Sequence, residues 1–127
     1  MPSPIRVLII DDSNDILFIL KTELEHLGYT VDIAADPMEG LRAAEARSPD
    51  VIISDIGLPG VDGFELIKRL RERPALASVP VIALTGFDSE DDAASMQSHG
   101  FSGRLVKPVE GATVSSLIKR VVPRRRQ

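Results

Sequence analysis

The chain is predicted to fold as an α/β domain on a mostly parallel sheet with helices on both faces. Three observations carry that expectation. Short apolar runs alternate with segments of helical spacing five times along the sequence. The first run, IRVLII, shows no polar alternation, which marks a strand buried on both faces. The length, 127 residues, suits one core of about 100–200 residues. A core of that size hides roughly two-thirds of the unfolded surface without disulfides or metals.

Ile5–Ile10 is the first predicted strand. Ser13 caps the following helix, whose apolar positions Ile16, Leu20, Leu24 and Leu27 recur at helical spacing until Gly28 stops it. Thr30–Ala34 (TVDIA) is a second, shorter strand. Asp36 and Pro37 then open a helix reaching about Arg47, an acid at the cap and a proline at the first position. Asp50–Ser54 (DVIIS) is a third strand. Its loop, DIGLPGVDG, holds too many breakers for a regular element. A helix from Gly63 to Glu72 turns Phe64, Ile67 and Leu70 inward. Val79–Thr85 is strand four, with Pro80 tolerated near its start. Glu90–Ser98 is a weak helix of acids, alanines and serines, with Met96 its one large apolar residue. Phe101–Val106 is strand five. Val114, Leu117, Ile118 and Val121 stripe a last helix that Pro123 ends. Strand–helix–strand crossovers of this kind build a parallel sheet. One domain is expected, its core over about residues 5–122 and a basic tail over 123–127.

The composition excludes several functions. No cysteine is present, so there is no disulfide framework, thiolate metal site or thiol nucleophile. Net charge is −4; without Arg124, Arg125 and Arg126 the body holds twelve basic against nineteen acidic residues, or −7. Nucleic acid wants a basic face, so it is not an expected partner, and the arginine run reads as a solvated terminus. The start MPSPIRVLIIDDS lacks the features of a signal peptide, and nothing approaches the ~20 apolar residues of a membrane span. A soluble, cytoplasmic protein with no membrane partner is expected.

In open parallel sheets, ligands bind beyond the carboxyl ends of the strands. Strand one ends in Asp11 and Asp12, strand three in Asp55, strand four in Thr85, and strand five in Lys107 followed by Pro108. Singly, each has an ordinary reading: an acid pair caps a helix, a threonine forms a turn, Lys-Pro is a surface corner. Together they place three acids, a hydroxyl and an ammonium at one edge. Crowded carboxylates repel, and a hard divalent cation such as Mg²⁺ relieves them. One carboxylate can then act as a nucleophile toward a phosphoryl group whose charge the cation, Lys107 and Thr85 offset.

The segments IIDDS, ISDIGLPGVDGFEL, VIALTG and LVKP resemble the receiver domains of two-component response regulators, of the single-domain chemotaxis type. The resemblance covers Ile5 to Val122. It implies a flavodoxin-like (βα)₅ doubly wound parallel sheet in strand order 2-1-3-4-5. It also implies that Asp55 accepts the phosphoryl group, that Asp12 and Asp55 hold Mg²⁺ with Asp11 acting through water, and that the Gly57 carbonyl completes the protein ligands. Thr85 would be the switch hydroxyl and Lys107 the ammonium, with a cis peptide before Pro108. The implied donor is a phosphohistidine on a sensor histidine kinase or a phosphotransfer domain. The implied output is a downstream protein, or phosphate passed onward, through the Glu90–Ser98 helix, strand five and the last helix, where family members bind partners or dimerise. His26 and His99 fit surface or capping positions rather than an internal donor.

Three positions depart from the commoner pattern. Arg104 stands where the family often has a switch aromatic. Gly57 and Phe87 stand where many members have side chains able to orient the hydrolytic water, so slow self-dephosphorylation is expected. The bare Gly57 is also reminiscent of receivers attached to hybrid kinases. A regulatory phosphoacceptor rather than an enzyme is expected. Two alternatives remain: a receiver-like scaffold that is never phosphorylated, and a Mg²⁺-dependent aspartyl phosphohydrolase, for which Ser13 stands where a second acid–base aspartate is needed. A flavin-binding flavodoxin fits poorly, since Asp11 and Asp12 would repel a cofactor phosphate.

Overall fold

The computed structural model describes residues 4–56, 63–86 and 100–122. Five parallel strands, β1 (Arg6–Ile10), β2 (Thr30–Ala34), β3 (Val51–Asp55), β4 (Val81–Thr85) and β5 (Gly103–Val106), lie in the order β2-β1-β3-β4-β5. This is the order the resemblance implies. Described helices are α1 (Asn14–His26), α2 (Pro37–Ala46), α3 (Gly63–Arg71) and α4 (Gly111–Val121). The predicted helix Glu90–Ser98, most of the loop after β3, including Gly57, and the basic tail lie outside the described residues, as do Phe87 and His99.

Alternation along each strand divides the interior into two layers. Leu8, Ile10, Ile52, Val81 and Ala83 pack on one face against Leu41 and Ala44 of α2 and Leu66, Ile67 and Leu70 of α3. Val7, Ile9, Ile53, Ile82, Leu84 and Leu105 pack on the other against Leu17, Leu20 and Leu24 of α1 and Val114, Leu117 and Ile118 of α4. Burial on both faces is why these strands read as unbroken apolar runs.

The caps are the expected ones. Ser13 Oγ accepts from Ile16 N at 3.3 Å, and Asp36 Oδ1 accepts from Glu39 N at 2.8 Å, with Pro37 opening α2. That bond holds the Asp36 carboxyl below its ordinary 3.8. Gly28 leaves α1 at φ +102°, a conformation other residues rarely adopt.

Several boundaries move. Asp50 precedes β3 instead of opening it: its Oδ2 accepts from Arg6 N at 2.8 Å. Val79 and Pro80 precede β4, and Phe101 and Ser102 precede β5. Arg71 closes α3, and a 3₁₀ turn at Pro74–Leu76, which the sequence reading lacked, leads toward β4. On α1 the buried stripe is Leu17, Leu20 and Leu24. Leu27 is the C-cap and half exposed, and Ile16 is only partly covered.

Gly40 lets α2 lie close on β1. A Cβ there would overlap Ile10 Cδ1 and fall 2.9 Å from its Cγ1, and Ile10 is fully buried. Alanine gains up to about 1 kcal/mol of helix propensity, but overpacking a closed core costs about 1–3 kcal/mol. Gly40→Ala therefore lowers the urea midpoint with an unchanged slope; a raised midpoint would show that α2 can lift off at no cost.

Candidate functional site

The order β2-β1-β3 makes chain direction across the sheet reverse between β1 and β3, and a crevice forms at that point. The register pairs Ile10 with Ser54, so the next residues, Asp11 and Asp55, emerge side by side. Thr85 ends β4 beside them, paired with Val106, and Lys107 follows β5. Asp11, Asp12 and Asp55 each offer a carboxylate oxygen, all within 4.8 Å of one another.

Their environments differ. Asp11 is fully buried, Asp55 partly, and Asp12 faces solvent. Asp11 Oδ1 accepts from Ser13 N at 2.9 Å, so part of its work is the turn into α1. Lys107 Nζ lies 2.9 Å from Asp55 Oδ2 as an aligned hydrogen bond. It also lies 2.9 Å from Asp11 Oδ2, close enough for charge attraction but not aligned to bond, which leaves that buried oxygen without a hydrogen-bond partner among the described residues. Burial alone would push the Lys107 ammonium down; the hydrogen bond to Asp55 and the negative charges of Asp11 and Asp55 outweigh it and hold the group above its ordinary 10.5.

Among the described residues, three acids against one base leave a formal excess of two negative charges, and the Asp11 oxygen that lacks an aligned hydrogen bond lies among them. Both features fit a hard divalent cation with oxygen ligands. Thr85 is buried, and its carbonyl accepts from Lys107 N at 2.8 Å, tying the ends of β4 and β5 together. The Lys107–Pro108 peptide is cis, as the resemblance implies. Arg104 sits on β5 opposite Ala83, half-buried. Gly57 and Phe87 belong to the predicted site but lie outside the described residues. His26 ends α1 at the surface, away from the acid cluster.

The profile of the response regulator receiver domain matches residues 7–119. The chain belongs to that family. Among solved structures, the receiver is similar to the chemotaxis protein CheY4 of Vibrio cholerae, with 34% identity, 94% of this chain and 99% of that one covered, and a TM-score of 0.89. It is also similar to the signal receiver domain of a histidine kinase from Syntrophus aciditrophicus, at 31% identity, 96% and 94% coverage and a TM-score of 0.82. Among curated proteins it is 33% identical to protein PilH of Pseudomonas aeruginosa over 92% of this chain and 97% of that one. Against the transcriptional regulatory protein PhoP of Bacillus subtilis the identity is 34%, over 94% of this chain but only 49% of the relative. The chain thus spans about half the length of the transcriptional regulators it matches. No described helix is long and apolar enough to cross a membrane.

One feature beside the receiver's acid cluster escaped the sequence reading. A cavity of about 390 Å³ between α1 and the turn after β5 is lined by Ile16, Ile19, Leu20, Lys107, Pro108 and Val109. Its signal was available: Ile19 is apolar yet falls off the buried stripe of α1, and it is 50% exposed.

The raised Lys107 group favours the folded site below about pH 10.5, and that contribution disappears as pH climbs through the higher folded value. An NMR titration of the Lys107 side chain is expected to give a midpoint above 10.5, and Asp55→Asn to bring it down. A midpoint unmoved by Asp55→Asn would mean that Asp55 does not hold the ammonium.

Proposed function

We propose that this receiver is a phosphorylation-controlled switch in which Asp55 takes a phosphoryl group from a partner phosphohistidine. The observation that carries the reading is Lys107 Nζ placed 2.9 Å from both Asp55 and the buried Asp11, with Asp12 completing the acid cluster.

Asp11, Asp12, Asp55 and the Gly57 carbonyl would hold Mg²⁺. When bound, the ion offsets the charge of the acids and of the phosphoryl oxygens. A carboxylate oxygen of Asp55 attacks phosphorus, the P–N bond to the donor imidazole breaks, and the imidazole nitrogen keeps the electron pair and takes a proton. The Lys107 ammonium lies beside Asp55 to pair with the transferred oxygens. Thr85, at the adjacent strand end, supplies the hydroxyl that follows the new charge. The output surface is the β5 and α4 edge with the segment that precedes β5, and the partner there is a protein.

The donor's approach is favoured by the apolar cavity beside the acids, since Lys107 lines both. A partner helix seated on Ile16, Ile19 and Val109 brings its phosphohistidine to Asp55. With Gly57 lacking a side chain and Phe87 apolar, the acyl phosphate is long-lived.

Acetyl phosphate with Mg²⁺ is expected to add one phosphoryl mass to the intact protein, and to add none to Asp55→Asn or after chelation. A wild type without mass gain would leave the scaffold reading standing; rapid consumption of acetyl phosphate without accumulation would favour the hydrolase.

A second measurement tests the partner. Ile19→Glu adds charge at a half-exposed position, so it is expected to slow transfer from a phosphorylated kinase about tenfold or more while leaving acetyl phosphate labelling unchanged. Equal slowing of both reactions would place Ile19 in the chemistry rather than in docking.

A further inference from the structure

The turn that carries Lys107 is pinned at both ends. At one, Lys107 N donates to Thr85 O at 2.8 Å. At the other, Gly111 N, the first amide of α4, donates at 2.5 Å to Oε1 of Glu23, a residue of α1 that is 88 positions away in sequence. Glu110, the N-cap residue of α4, makes no side-chain capping bond. Glu23 supplies from another helix the acceptor that a cap residue ordinarily provides, and its negative charge suits that end of the helix.

The approach is close. A Cβ at Gly111 would lie 2.6 Å from Glu23 Cβ and 2.9 Å from Oε1. Between the two pins run Lys107, Pro108, Val109 and Glu110, with Val109 packed against the core layer that α1 and α4 share.

We infer that Glu23 is a positioning residue for the phosphoryl-transfer site: by holding Gly111 N it fixes the far end of the turn, and so fixes where the Lys107 ammonium stands relative to Asp55. Glu23 touches none of the acids and acts only through the chain it anchors. The inference rests on the phosphoacceptor reading of Asp55.

The test compares wild type, Glu23→Ala and Glu23→Gln in acetyl phosphate labelling with saturating Mg²⁺, well below the unfolding midpoint. Glu23 is exposed, and an exchangeable hydrogen bond carries a modest effect, so Glu23→Ala is expected to slow labelling roughly two- to tenfold. Glu23→Gln keeps the acceptor and is expected to restore most of the rate. Mg²⁺ affinity, read by calorimetry, should stay within about twofold in all three, because Asp11, Asp12 and Asp55 are untouched. A merely structural role would lower the melting temperature and leave the rate alone. Labelling of Glu23→Ala at the wild-type rate overturns the inference, as does a loss that Glu23→Gln does not rescue. An unlabelled wild type fails the underlying reading of Asp55 instead, so the two failures are distinct.

Discussion

A fully buried aspartate dominates this molecule. Asp11 is removed from water just past the end of β1, and an isolated carboxylate in that position is costly. Among the described residues it has two partners: the Ser13 amide on one oxygen, and on the other the unaligned Lys107 ammonium. Lys107 is itself divided, its aligned bond going to Asp55. One cation therefore serves two acids while a third stands nearby in solvent. The arrangement holds together but, among the described residues, stays short of neutral, and that deficit is what the proposed divalent ion would offset.

The sheet order is what creates the crowding. With β1 and β3 adjacent, residues far apart in sequence reach one edge in register, Ile10 against Ser54 and then acid beside acid. The layers beneath hold them there. Ile9 and Ile53 on one face, Ile10 and Ile52 on the other, are without solvent exposure, so the strand ends have little freedom to splay and dilute the repulsion. Close packing in the interior thus sustains an electrostatic strain at the rim.

Much of this was legible in the chain. Strand ends, caps at Ser13 and Asp36, the turn at Gly28 and the set of acid, hydroxyl and ammonium residues follow from periodicity and residue chemistry. What failed to follow was set by three-dimensional fit. On α1 Leu17 takes the buried place expected of Ile16, and Leu27 is half exposed because the helix ends there. Asp50 and Phe101 adjoin apolar runs but precede the strands, Asp50 accepting from Arg6 N and Phe101 packing in the core. Within the site, the division of Lys107 between Asp11 and Asp55 depends on the geometry of the turn after β5. No local pattern could reveal that, and Glu23, on a helix from the first quarter of the sequence, could not be tied to it.

The site and its surroundings therefore differ in how tightly each is determined. Asp11, Asp55 and Thr85 are placed by strands whose neighbours on both faces are closed, so their positions are a property of the core. Lys107 is placed by a short turn with one hydrogen bond at each end, backbone to backbone at Thr85 and backbone to side chain at Glu23. Among the described residues around the acids, it is the one carried by a turn pinned at its two ends. In the proposed switch, the answer to a single charge added on Asp55 falls to such a group. The acids have to stay fixed so that the charge arrives in a defined place, while the ammonium that answers it has to be held by bonds weak enough to be re-made. Burial of the one and light tethering of the other put both requirements into the same few ångströms.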